Sequence, residues 1–170
     1  NRKNRKRTMD KIILTEIEPN INADSEELSK VIVSRVGLMP RKIGSTENMY
    51  QVLIQLYEKA KVSYREKRPS EAIMTVEEMA AFAGITRQTM YDYLKRWLML
   101  NLIVKTSYVD RENKVVIGYK LNGNTLESSF EKVRTKINNN LEFTLKYVKE
   151  LQKVLKNEKI SKTQKEKKQE

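Results

Sequence analysis

TVEEMAAFAGITRQTMYDYLKRWLML, residues 75–100, is the stretch on which the fold turns. The Thr75 hydroxyl can accept from the backbone N–H three residues on while Glu78 reaches back to the Thr75 amide, so a helix begins here. Gly84 tolerates the left-handed conformation that ends a helix, and Thr86 offers a fresh cap for a second helix running to about Leu100. Two short helices joined by a tight turn follow. Ala80 is the small residue where the helices cross, Gly84 lies in the turn, and Met90 plugs between them. Met79, Ala83, Ile85, Tyr93 and Leu94 occupy the flanking packing positions. On the second helix Met90, Leu94, Trp97 and Leu98 form the inward face, which makes Trp97 a core residue and not a stacking platform. The outward face is then Thr86, Arg87, Gln88, Thr89, Tyr91, Lys95 and Arg96, with Asp92 expected to pair with Arg96 at helical spacing.

Outward along the chain, LIVKTSYV (102–109) and KVVIGYKL (114–121) are β-branched and aromatic runs separated by the turn DREN, which predicts a β-hairpin. A helix pair of this kind followed by a hairpin resembles the winged helix-turn-helix of bacterial and archaeal regulators. The run NLI at 101–103 resembles the GLI that opens the wing in gluconate-repressor (GntR) and phenolic-acid-repressor (PadR) types, with Asn101 replacing Gly in a left-handed position. ITRQTM at 85–90 is similar to their VSRTTV. The resemblance spans residues 75–121. It implies double-stranded DNA as partner, with the second helix in the major groove. Arg87 then suits a guanine edge and Gln88 an adenine; Thr89 and Tyr91 suit phosphates or a thymine methyl. Arg111 and Lys114 flank the wing tip, within reach of phosphates or the minor groove.

Upstream, Arg2, Lys3, Arg5, Lys6 and Arg7 make residues 1–10 a basic arm, with no apolar residue among the first seven. Residues 11–44 read as an N-terminal extension. In it KIILTEI (11–17) is expected as a strand or an extended anchor. Asp24 or Ser25 then caps a helix through SEELSKVIVSRV, whose Leu28, Val31, Ile32 and Arg35 to Val36 follow helical spacing, although its β-branched density also allows a strand. Residues 45–122 form the main domain. Its first helix starts after Ser45 with an apolar stripe of Met49, Val52, Leu53, Leu56, Tyr57 and Ala60, and Pro69 closes it. Ile73 and Met74 suit a very short strand.

Downstream, Leu126, Phe130, Val133, Ile137, Leu141, Leu145, Val148, Leu151 and Leu155 mark a stripe free of Gly and Pro, predicting one helix of roughly thirty residues within 123–158. Its steps are not a strict heptad, which argues against a long coiled coil. A stripe this long needs cover. Phe130, Val133, Ile137, Leu141, Leu145 and Val148 are the expected dimer contacts, and regulators resembling PadR append a dimerising helix at this place. A two-fold dimer sets two recognition helices roughly 34 Å apart and predicts an inverted-repeat site. Residues 159–170 read as a solvated basic tail.

Composition supports a polyanionic partner: 34 Lys and Arg against 22 Asp and Glu leave a formal charge of +12. No Cys and no His are present, so the commonest metal ligands and nucleophile–base pairs are missing, and no Gly-rich phosphate loop appears. The expectation is a mainly α chain with a small β-hairpin wing and a long C-terminal helix. It is a non-enzymatic, cytoplasmic, nucleoid-associated regulator needing no cofactor or metal and not bound to membranes. Two other readings stay open. A plasmid or viral replication or partition protein uses the same fold, and an adaptor would dock a protein partner through it.

Overall fold

The computed structural model describes residues 10–39 and 48–169. The basic arm and the start signal at Ser45 lie outside them. The chain is mainly helical, with one antiparallel two-stranded hairpin and a long C-terminal helix. Residues up to Val133 form one compact unit, and Arg134 onward a second.

The extension opens without helix or strand, so the strand alternative for KIILTEI is not formed. The Thr15 amide donates to the Arg35 carbonyl at 2.9 Å, and the Arg35 guanidinium donates to the Ile17 carbonyl. Helix α1 is Ser25–Arg35, capped by the Asp24 carboxylate, which accepts from the Glu27 amide at 2.8 Å. Its buried face is Ser29 and Val33, while Leu28 is exposed and Val31 and Ile32 half-buried. The expected stripe is therefore rotated. Ser29 can be buried because its hydroxyl is satisfied within the helix, donating to the Glu26 carbonyl at 3.0 Å.

Helix α2, Met49–Glu66, buries Met49, Tyr50, Val52, Leu53, Leu56 and Ala60; Tyr57 is half-buried beneath the Lys61 ammonium. It ends on Lys67 in the left-handed region (φ 54°), ahead of Pro69, which instead starts a 3₁₀ turn, Pro69–Ala72. The short strand expected at Ile73 and Met74 is a single rung, in which Met74 and Tyr119 exchange both backbone hydrogen bonds at 2.8 Å.

Helices α3 (Val76–Ala83) and α4 (Arg87–Met99) flank Gly84, whose φ of 69° lets its amide reach back to the carbonyls of Ala80 and Ala81. Thr75 caps α3 as expected, but Glu78 accepts from the Thr75 hydroxyl at 3.3 Å rather than from its amide, and its other oxygen meets Lys59 at 3.5 Å. Met79, Ala80, Ala83, Met90, Leu94 and Trp97 are buried between these helices and α2, while Leu98 is only half-buried. The Trp97 indole N–H is buried and has no acceptor among the described residues.

Asn101 turns the chain with φ 62° into strand β1, Ile103–Val109, which pairs with β2, Val115–Leu121, from Ile103↔Leu121 to Val109↔Val115. Asp110 organises the connection: its carboxylate accepts from the amides of Glu112 and Lys114, and Asn113 takes a positive φ of 58°. Gly118 is required by the Met74 rung, because a Cβ there would lie 2.5 Å from the Met74 carbonyl oxygen.

Helix α5 runs from Leu126 to Lys167, 42 residues, beginning at a Thr125–Ser128 capping box. It is longer than expected and takes in most of the basic tail. Lys, Glu and Gln all have good helix propensity, and no Gly or Pro interrupts them. None of the helices is long and apolar enough to cross a membrane among the described residues.

Candidate nucleic-acid interface

The outward face of α4 starts at its cap. The Thr86 hydroxyl accepts from the Thr89 amide at 3.2 Å and lies 2.9 Å from the Thr89 hydroxyl, so both threonines are partly spent on holding the first turn. Thr89 is half-buried and Thr86 exposed. Gln88, next to them, is exposed and makes no hydrogen bond among the described residues. A free carboxamide there keeps both its donors and its acceptor available.

Arg87 is already engaged. Its Nε lies 3.2 Å from Glu77 on α3, its Nη2 donates to the Tyr91 hydroxyl at 3.3 Å, and the guanidinium stands 5.6 Å from the Tyr91 ring centre. The Tyr91 hydroxyl first and the Glu77 carboxylate second hold the guanidinium pKa above its ordinary value. Both side chains of the Arg87–Glu77 pair are more than half exposed, so the pair is weak and exchangeable. It orients the guanidinium without burying it. Glu77 is a contact of the candidate face that the sequence alone does not single out. The signal was available only as an acidic residue in the first turn of the preceding helix, which the helix dipole already explains.

Lys95 meets Asp92 at 3.6 Å, so the intrahelical partner of Asp92 is Lys95 and not Arg96. Arg96 leaves the outward set altogether. It is half-buried, and its Nη1 donates to the Gly37 carbonyl at 3.2 Å, across 59 residues of sequence. The physical reason is reach: α4 turns Arg96 toward the end of the N-terminal extension, where its charged N–H group meets the Gly37 carbonyl.

At the hairpin tip Arg111 is exposed with no partner among the described residues, whereas Lys114 is paired with Glu112 at 2.9 Å. The tip is also apolar. Val109, Val115 and Ile117, on one hairpin face, are 62%, 67% and 56% exposed. Tyr119, further along the same face, is buried, and burial with a smaller contribution from nearby Tyr91 pushes its phenol pKa up.

The six expected dimer contacts divide. Val133 is 2% exposed and enclosed by its own chain, so it is no partner contact; it falls where α5 still packs on the compact unit. Phe130 and Ile137 are half-buried. Leu141, Leu145 and Val148 are exposed, together with Phe143, Tyr147, Leu151, Val154 and Leu155.

Among the described residues no group of three or more acidic, Cys or His side chains comes together to hold a metal ion. No known family model matches this sequence, and no curated protein matches it.

Proposed function

We propose that the chain is a winged helix-turn-helix protein that binds double-stranded DNA as a homodimer, with regulation of transcription as its role. The single observation carrying this reading is the α3–Gly84–α4 corner, which leaves Thr86, Arg87, Gln88, Tyr91 and Lys95 exposed on a helix that buries Met90, Leu94 and Trp97. A helix presented this way fits the major groove, where Arg87 can take a guanine edge bidentately and Gln88 an adenine. The hairpin serves as the wing, with Arg111 as its free cation for phosphate. The net charge of +12 supplies salt-dependent attraction. The exposed stripe from Leu141 to Leu155 supports self-association, because eight large apolar side chains exceed the patch a soluble monomer usually shows.

Selection of bound sequences from a random duplex pool tests this. Wild type should yield an inverted repeat, and Arg87→Ala and Gln88→Ala should each relax one base pair by about tenfold or more. Recovery of no preferred sequence would reject the reading.

One observation favours a second reading. The apolar wing tip of Val109, Val115 and Ile117 is poorly suited to phosphate and well suited to a protein surface. An adaptor that docks a protein through the wing would bind duplex without site preference. Its log K should fall with log salt at a slope of about −5 for roughly six phosphates, and no specific binding should remain at high salt.

A further inference from the structure

A cavity of about 840 Å³ opens between the end of α2, the Pro69–Ala72 turn, the base of the hairpin and the first turns of α5. Buried Ala60, Ala72 and Leu121 contribute an apolar floor, and half-buried Val104 pairs across the hairpin with Lys120, which also lines it. Four cations line the cavity, Arg65, Lys67, Lys120 and Lys132, and no carboxylate does.

Part of this charge has a structural explanation. Arg65 and Lys67 sit at the end of α2, where cations offset the helix dipole, and Arg65 is also 3.6 Å from Glu66. That explanation does not extend to Lys120 and Lys132, which come from β2 and α5. The Lys132 ammonium donates to the Asn122 side-chain oxygen at 2.9 Å, and the Asn122 amide donates to the Asn101 carbonyl at 3.0 Å, so a neutral network holds this cation in place. Lys120 is half-buried and has no hydrogen bond or ion pair among the described residues. A partly desolvated ammonium with no partner, beside three more cations, is an arrangement that an anion relieves.

We propose that this cavity binds a small phosphate-bearing molecule that also carries a flat ring, of the nucleotide class. The volume lies in the range of small-ligand sites. Four cations without a lining carboxylate match a ligand of more than one negative charge. Tyr64, 72% exposed and lining the cavity, offers a ring face for stacking, and Asn124 a carboxamide for a base edge. Arg87, Gln88 and Lys95 do not line it, so this inference stands apart from the proposed duplex face.

The test is calorimetric titration of the full chain with ATP, pyrophosphate and adenosine, in chelator and low salt. ATP should bind saturably, pyrophosphate more weakly and adenosine weakest. Lys120→Gln and Lys132→Gln should each weaken ATP by about tenfold while melting stays unchanged, and Tyr64→Ala should weaken ATP more than pyrophosphate. Lys95→Gln should leave ATP binding as it was. No saturable binding of ATP, undiminished binding by both lysine variants, or competitive displacement of ATP by a duplex would each overturn the proposal.

Discussion

Replacing Arg96 by Ala should loosen the N-terminal extension and leave any duplex contact intact. In the native chain the Arg96 guanidinium donates to the Gly37 carbonyl at 3.2 Å, a side-chain bond that ties α4 to the extension. A hydrogen bond from a charged donor contributes about 1.5–3 kcal/mol when its partner is otherwise left dry. Arg96 and Gly37 are both half-buried, so water can reach the released carbonyl, and a value at or just below the bottom of that range, about 1–2 kcal/mol, is expected. For a unit of this size that corresponds to a melting temperature lower by roughly 3–10 °C. Differential scanning calorimetry reads the shift, and hydrogen exchange locates it: the Thr15 and Leu38 amides, which donate to Arg35 and Val33, should lose protection before those of α3 and α4. Gly37→Ala should produce the same local loosening, because its φ is +70° and the new Cβ would stand 2.9 Å from the Ile13 Cβ. An unchanged melting temperature together with a large loss of duplex affinity would refute the assignment and return Arg96 to the outward face.

Other outcomes follow from the same geometry. Glu77→Gln frees the Arg87 guanidinium from its 3.2 Å pair, so duplex affinity measured by fluorescence anisotropy should rise by roughly two- to fivefold at low salt, less at high salt; a fall would mean that Glu77 holds Arg87 in its working position. Gly118→Ala drives a methyl group into the Met74 backbone and should cost about 1–3 kcal/mol in chemical denaturation, with early exchange of the Met74 and Tyr119 amides. The raised Tyr119 pKa means that the unfolded chain gives up its phenolic proton first. The associated stability should be complete below about pH 10 and decline above it, and Tyr119→Phe should flatten the decline. Leu145→Glu should convert a dimer to a monomer in sedimentation without lowering the melting temperature of the compact unit, while Val133→Ala should lower it, by about 2 kcal/mol of stability.

What could be read before the structure was local chemistry. Thr75, Gly84 and Thr86 each act through backbone groups within three or four residues of themselves, and the caps and the turn stand where that chemistry puts them. Asn101 is similar: a polar residue after an apolar helix end, in the left-handed region as expected. The misreadings share a different cause. Arg96 finds Gly37 and Arg87 finds Glu77 through contacts between elements, and no spacing rule reaches across 59 residues. In α1 the helical spacing of Leu28, Val31 and Ile32 marks an apolar stripe, whereas the residues buried are Ser29 and Val33, because a serine whose hydroxyl bonds its own helix can face inward. The extra length of α5 came from treating a lysine-rich run as solvated coil when its residues are also good helix formers.

The hairpin is tied to the segment before α3 by one rung, two hydrogen bonds between Met74 and Tyr119. Ile103, Tyr119 and Leu121 are buried at the base of the hairpin, whereas Val109, Val115 and Ile117 stand exposed near its tip. Opening the tip uncovers little apolar surface, so the amides around Asp110 to Lys114 should exchange well before those of Met74 and Tyr119.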